Sequence, residues 1–281
     1  MTLLTFLTVL FAAVLHATWN ALVKSNGDKV VSMTAITLGR APLALLAIPF
    51  VPFPDRESWL LLGLSVIVHV FYQLSLMRAY RLGDFTQVYP IARGSAPALV
   101  TLISLFGLGV VLTLNQITAI CLILAGIFCL SLLKQTDGLH NPKAVMAALL
   151  TGCCIACYSL LDGFGARAAG TAVGYIAWMS SLSALVFSTI IGFYRPDALK
   201  AAIAKDQIKT WFGGAASITA YVLVVWAMTE APIAVVTALR ETSTVFALFI
   251  GVLFLKERLT AGKVVATLLT LSGVLLLRFG A

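Results

Sequence analysis

Arg40, Arg93 and Arg240 each interrupt a long apolar run. A charge at bilayer depth costs at least a few kcal/mol, so such residues are rare and mark pathways and binding sites. The chemistry an arginine offers there is specific. Its planar guanidinium grips a carboxylate or a phosphate through two parallel hydrogen bonds. Residues three or four apart share a helix face, and this spacing gathers partners for the arginines. Tyr89 falls with Arg93, and Thr237 falls in a polar stripe with Arg240 and Glu241. His16 and Asn20 lie one turn apart with Trp19 beside them, and Tyr72 and Gln73 accompany His69. Tyr158 and Asp162 have the same one-turn spacing, and Tyr221 falls opposite Gln73 in the second half of the chain. Tyrosine and tryptophan would stack on a ligand or hydrogen-bond its remainder. The expected substrate contacts are therefore Arg93 and Arg240, with Tyr72, Gln73, Tyr89, Trp19, Asn20, Tyr158, Tyr221 and Thr237. Coupling to a proton needs a titratable group at depth. Glu241 is the leading candidate, with His16 and His69 behind it. Arg40, followed by Pro42, has no counterpart in the other half and is open to a structural or snorkelling role.

The elements that must position these groups follow from composition. The 281 residues are 60% hydrophobic and 11% charged, with a mean hydropathy of +1.02. A soluble domain carries about a quarter charged residues, so this chain cannot cover a water-facing surface. Its apolar runs, roughly 18 to 22 residues long, suit ~30 Å of hydrocarbon crossed by helices. The sequence predicts an all-α integral membrane protein with ten spans. They run approximately over Leu3–Leu22, Val31–Val51, Trp59–Ala79, Phe85–Leu105, Gln116–Leu133, Lys143–Leu161, Thr171–Phe193, Ile208–Met228, Ile233–Leu253 and Ala261–Phe279. The longest loop, from Arg195 to Gln207, has the composition of a short surface helix.

The net charge of +8 is a matter of topology rather than of nucleic-acid binding. Lys and Arg concentrate in alternate loops, which the positive-inside rule assigns to the cytoplasm. Arg56, Arg167 and Arg278 are all that fall on the other side, and both termini are expected there. Leu3–Leu22 lacks a basic leading segment and is expected to be a first span rather than a cleaved signal. The five cysteines all lie in apolar runs, in no disulfide pattern. Cys153, Cys154 and Cys157 have no histidine or carboxylate close enough in sequence for a convincing metal site. No metal and no cofactor are expected.

The second half echoes the first. Aligning Arg93 on Arg240 also aligns Leu112-Thr113 with Leu259-Thr260 and Gly126 with Gly273, while Trp19 falls opposite Tyr158. Five spans per copy is an odd number, so the second copy enters the membrane inverted. Residues 1–136 and 137–281 are the two expected units. Inverted repeats are an architecture of secondary transporters, with the substrate site near midplane between them.

On these residues the chain resembles a known family. The ten spans, the duplicated halves, Trp19-Asn20 in span 1 and Phe254-Leu255-Lys256-Glu257-Arg258-Leu259-Thr260 before the last span, followed by Gly262 and Gly273, are similar to the EamA-type drug/metabolite transporter superfamily. The first half departs from that pattern, since Leu108–Thr113 lacks the charges. The resemblance implies a secondary transporter of a small metabolite in the plasma membrane. The plastid sugar-phosphate translocators of the wider superfamily are similar in using basic residues on central helices of both halves, in keeping with an anionic substrate bearing a carboxylate, phosphate or phosphonate. The glutamate that small multidrug exporters carry in span 1 is absent here. The expected partners are a small-molecule substrate, the lipid bilayer, and a proton or counter-substrate, with the chain a monomer or homodimer. Export of neutral or amphipathic compounds such as amino acids or drugs, with structural arginines, is the alternative. An ATP-driven pump is excluded by the lack of a phosphate-binding G-x-x-x-x-G-K-[ST] loop. An intramembrane enzyme would need a nucleophile–base pair or paired aspartates at depth, and neither is evident. A reporter fused after Ala281 is expected to signal from the non-cytoplasmic side, and a cytoplasmic signal would overturn the assignment.

Overall fold

The computed structural model describes residues 1–24, 28–83, 85–133, 141–204, 208–255 and 260–280. The described helices are α1 (Leu3–Lys24), α2 (Lys29–Ala47), α3 (Trp59–Leu82), α4 (Phe85–Leu102), α5 (Leu114–Leu133) and α6 (Pro142–Ala168). They continue with α7 (Ala172–Tyr194), α8 (Pro196–Ile203), α9 (Ile208–Glu230), α10 (Ile233–Arg240), α11 (Ser243–Leu255) and α12 (Ala261–Phe279). A backbone in hydrocarbon must satisfy its own polar groups, and helices do so locally. Helix starts are set by side chains that accept the first free N–H groups. Asp28 accepts from Val30 and Val31, Asn141 from Lys143 and Ala144, and Thr171 from Gly174. Pro142 occupies the first position of α6, where its missing N–H costs nothing.

The chain is a multi-pass membrane protein of helices alone among the described residues. Eight stretches there are long and apolar enough to cross a bilayer, and Ile91–Gly107 and Leu114–Cys129 are shorter apolar helices. Large apolar side chains such as Leu4, Phe11, Leu60, Phe71, Leu185 and Phe212 face outward, as a lipid-facing surface requires. The expected surface helix is present as α8, with Ala198 and Ala202 buried and the Trp211 indole donating to the Ala202 carbonyl at 3.0 Å.

Sequence periodicity placed one continuous helix over Ile233–Leu253, and here the structure differs. The helix breaks at Glu241-Thr242 into α10 and α11. The Glu241 and Thr242 N–H groups donate to the Ala238 and Leu239 carbonyls at 3.0 and 3.1 Å, one residue nearer than in an α-helix. The Thr242 and Thr244 hydroxyls bond the Leu239 and Glu241 carbonyls at 2.8 Å each. Such short-range side-chain bonds compete with helical ones. No glycine or proline marks the break, which is why the pattern of apolar residues concealed it.

The packing has a paired character. The α3 helix packs on α6 and α9 on α1; α4 packs on α6, and α10 and α11 on α1; α5 packs on α12. In the last pair the two aligned glycines meet the opposite helix reciprocally. A Cβ on Gly126 would strike the Ala266 carbonyl at 2.7 Å and also the Thr270 hydroxyl. A Cβ on Gly273 would strike the Ala119 carbonyl at 2.6 Å and the Ile123 side chain at 2.8 Å. Residues 119 and 123 stand to 266 and 270 at the same sequence separation as Arg93 to Arg240.

Polar ties close each end of the bundle. At one end the Arg167 guanidinium donates to the Met228 and Ala231 carbonyls, and the Asn115 amide bonds the Gly280 carbonyl. At the other, the Asn141 amide donates to the Leu82 carbonyl at 2.6 Å.

Gly126→Leu and Gly273→Leu are each expected to destabilise the fold by about 1–3 kcal/mol through overpacking. Gly63→Ala, with open space around its Cβ, is expected to be neutral or slightly stabilising. Thermal unfolding of the purified protein in detergent, followed by tryptophan fluorescence, distinguishes the three.

Candidate functional site

A cavity of about 400 Å³ opens between α1, α2, α3, α4, α6, α9 and α10. All three intramembrane arginines line it: Arg40 from α2, Arg93 from α4 and Arg240 from α10. Arg40 therefore belongs to the site, although nothing in the repeat pattern marked it. Its Nη2 donates a long hydrogen bond of 3.4 Å to the Thr37 hydroxyl, which also accepts from the Gln73 amide at 3.2 Å.

Arg93 and Arg240 differ in their environment. Arg93 Nε donates to Glu241 Oε2 at 3.1 Å, and its Nη2 lies 2.9 Å from Oε1. The pair is almost fully buried and joins α4 to the break between α10 and α11. Arg240 also neighbours Glu241, but its Nε stands 3.7 Å from Oε1, beyond hydrogen-bond reach. Among the described residues, Arg240 Nε and Nη2 have no hydrogen-bond partner although both are buried. A buried unsatisfied donor costs about 1–3 kcal/mol, more when charged.

Aromatic rings form the facing wall. His69 stacks on Tyr158 with centroids 4.2 Å apart, and Tyr72 and Tyr221 meet Tyr158 edge-on at 5.4 and 6.1 Å. On α1, the Trp19 indole donates to His16 Nδ1 at 3.3 Å, and the Asn20 amide bonds the His16 carbonyl at 2.7 Å. Behind this wall lies Asp162, fully buried. It accepts from His69 Nε2 at 2.9 Å and from the Tyr175 hydroxyl at 3.4 Å, and also from Ser65 and Tyr221.

Ten of the residues singled out in the sequence line the cavity. They are Arg93 and Arg240, the side chains of Trp19, Asn20, Tyr72, Gln73, Tyr158 and Tyr221, and both histidines, His16 and His69. Two are placed elsewhere. Thr237 is fully buried and its hydroxyl donates back to the Ile233 carbonyl at 2.7 Å, so it makes no part of the wall. Glu241 lies behind the arginines rather than on the surface of the cavity. The Tyr89 side chain falls outside the described residues, as does the Lys256–Leu259 motif. Sequence reasoning left the role of Arg40 open and missed that of Asp162. The signal for Asp162 was present, since it is a lone carboxylate at the end of a long apolar run. Among the described residues no three His, Cys, Asp or Glu side chains lie close enough to hold a metal ion.

The arrangement can bind negative charge. Three guanidiniums line the cavity, whereas the carboxyl groups of Glu241 and Asp162 do not. Comparison with known proteins supports a transport role for this fold. The sequence profile described as the EamA-like transporter family matches residues 3–132 and again residues 142–279. No curated protein matches the chain in sequence. A solved structure described only as the crystal structure of a protein is similar with a TM-score of 0.77 and 15% identity, covering 99% of this chain and 96% of its own. That likeness concerns the fold alone. The two family matches together span nearly the whole sequence, and the chain belongs to the EamA-like transporter family, within the drug/metabolite transporter superfamily of secondary transporters rather than enzymes.

Proposed function

We propose that this transporter carries a small anion bearing a carboxylate, phosphate or phosphonate, by alternating access around the three-arginine cavity. The observation that carries the reading is Arg240. Arg240 lines a cavity that Arg40 also lines, and its buried Nε and Nη2 have no hydrogen-bond partner among the described residues, while the nearby carboxylate of Glu241 is held by Arg93. A bidentate oxyanion satisfies such donors, and a neutral ligand does so less completely. The tyrosines, Trp19, Asn20 and Gln73 then contact the rest of the molecule.

The architecture suits this reading. Ten spans in two inverted five-helix units, residues 1–136 and 137–281, are supported by the two family matches and by the reciprocal glycine contacts of α5 and α12. The cavity takes side chains from both units, as expected of a site between rocking halves. Glu241 acts as a resident counter-charge. An incoming anion competes with it for the arginines, and so weakens the tie between α4 and α10 when the site is occupied. Tyr89, on the turn before Arg93, is assigned to the same site, whereas Thr237 is not. The plasma membrane, with both termini outside, is the proposed setting.

The test is counterflow exchange in proteoliposomes with radiolabelled inorganic phosphate, methylphosphonate and lactate. Exchange of at least one of these is expected. Arg40→Ala and Arg240→Ala should each reduce it about ten- to a hundredfold, the value of a charge-assisted contact of about 1.5–3 kcal/mol. Full activity in both variants, or exchange of neutral amino acids alone, overturns the anion assignment. Arg93→Ala should in addition destabilise the protein by about 3–5 kcal/mol, because Glu241 is left buried without its partner. Thermal unfolding in detergent separates that effect from loss of binding.

A further inference from the structure

We propose that His69 and Asp162 form a proton-binding site in the wall of the cavity, and that its proton travels with the anion. The site rests on the geometry of the pair, whereas the identity of its co-substrate rests on the anion reading above. Asp162 sits on α6 with no exposed surface. Its Oδ1 accepts from Ser65 of α3 and Tyr175 of α7, and its Oδ2 from His69 of α3 and Tyr221 of α9. One carboxylate thus ties together four helices. An ionised carboxylate only accepts hydrogen bonds. Against an ionised Asp162 the imidazole presents Nε2–H to Oδ2, which leaves the lone pair on Nδ1. A proton entering from the cavity adds to that lone pair. The product is an imidazolium that keeps its bond to Asp162, and release reverses the step. No protein hydrogen bond is lost, and Asp162 supplies the negative charge that makes a buried imidazolium tolerable.

The cavity offers access to this site. His69 and Tyr221 line it, whereas Asp162 does not. His69 also has the better partner of the two cavity histidines. His16 accepts from Trp19, while His69 lies 2.9 Å from a carboxylate oxygen. The charged and titratable groups around the pair are Tyr158 on α6, Tyr72 on α3, Tyr175 on α7 and Tyr221 on α9. His16 of α1, Arg40 of α2, Arg93 of α4 and Arg240 of α10 line the same cavity, and Glu241 adjoins Arg93 and Arg240. The three guanidiniums oppose a further positive charge on His69 when the cavity is empty. A bound anion offsets them and favours the imidazolium. By linkage, proton binding then tightens anion binding by the same factor. The coupling therefore has the sign of symport.

Two measurements test the proposal. The first needs no substrate and is an infrared pH titration of the purified protein in lipid. A histidine signal should titrate in the wild type, disappear in His69→Gln and shift in Asp162→Asn. Absence of that signal in the wild type, or its persistence unchanged in Asp162→Asn, overturns the proton site. The second uses proteoliposomes and the radiolabelled phosphate, methylphosphonate and lactate probes. An inward proton gradient should accelerate uptake by the wild type severalfold. Asp162→Asn and His69→Gln should both lose that acceleration, and acceleration kept in both variants refutes the coupling. If wild-type counterflow occurs but is indifferent to the gradient, the coupling is refuted and the anion reading stands. If no probe exchanges, the anion reading fails, and the infrared titration still decides the proton site.

Discussion

The buried ion pair between Arg93 and Glu241 is the contact on which the rest of the site depends. It joins α4 to the break between α10 and α11, and so links the two halves of the chain across the bundle interior. Neither charge is tolerable there alone, because each would be left uncompensated in a medium that cannot solvate it. The pair also decides how the neighbouring arginines behave. By engaging the Glu241 carboxylate, Arg93 leaves Arg240 with donors that the protein does not satisfy. The helix break has its reason in the same place, since Glu241 occupies the turn where the polar side chains take over backbone carbonyls. Two guanidiniums, Arg93 and Arg240, thus adjoin one carboxylate, and only Arg93 hydrogen-bonds it.

Around that centre the aromatic wall and the Asp162 network form a second polar layer. Both layers meet one cavity and have opposite character. One side presents excess donors on permanently charged groups. The other presents a carboxyl group bonded by Ser65, His69, Tyr175 and Tyr221. The α3 and α9 helices, which come from different halves, both end their polar faces on Asp162, so its hydrogen bonds also register the relative position of those helices.

Much of this was legible in the sequence. Length, hydropathy and loop chemistry specify a membrane bundle, because hydrocarbon leaves the backbone few alternatives. Arg93 and Arg240 stood out because a charge in an apolar run is costly, and the tyrosines followed from helical spacing. The failures have physical causes as well. Arg40 was discounted for want of a symmetry mate, although a cavity between unequal helices can recruit a residue from one side only. Thr237 was included by face, but a threonine hydroxyl in a helix readily bonds the carbonyl four residues back. Asp162 sits near a span end, where carboxylates are usually solvated, and its burial depends on α3, α7 and α9 packing over it. The break at Glu241 is a tertiary accommodation that local propensity does not encode.

The reciprocal contacts of Gly126 and Gly273 carry a consequence for how such a chain is assembled. Each glycine admits the backbone of the opposite helix at the position equivalent to the one it receives. A seam of that kind is isologous, the form in which one surface patch is complementary to itself under a two-fold operation. The α5–α12 contact therefore has the character of a two-fold seam within one chain. The cavity does not share that symmetry, since Arg40 lines it from α2 and Asp162 is buried on α6 without an equivalent in sequence at the same separation.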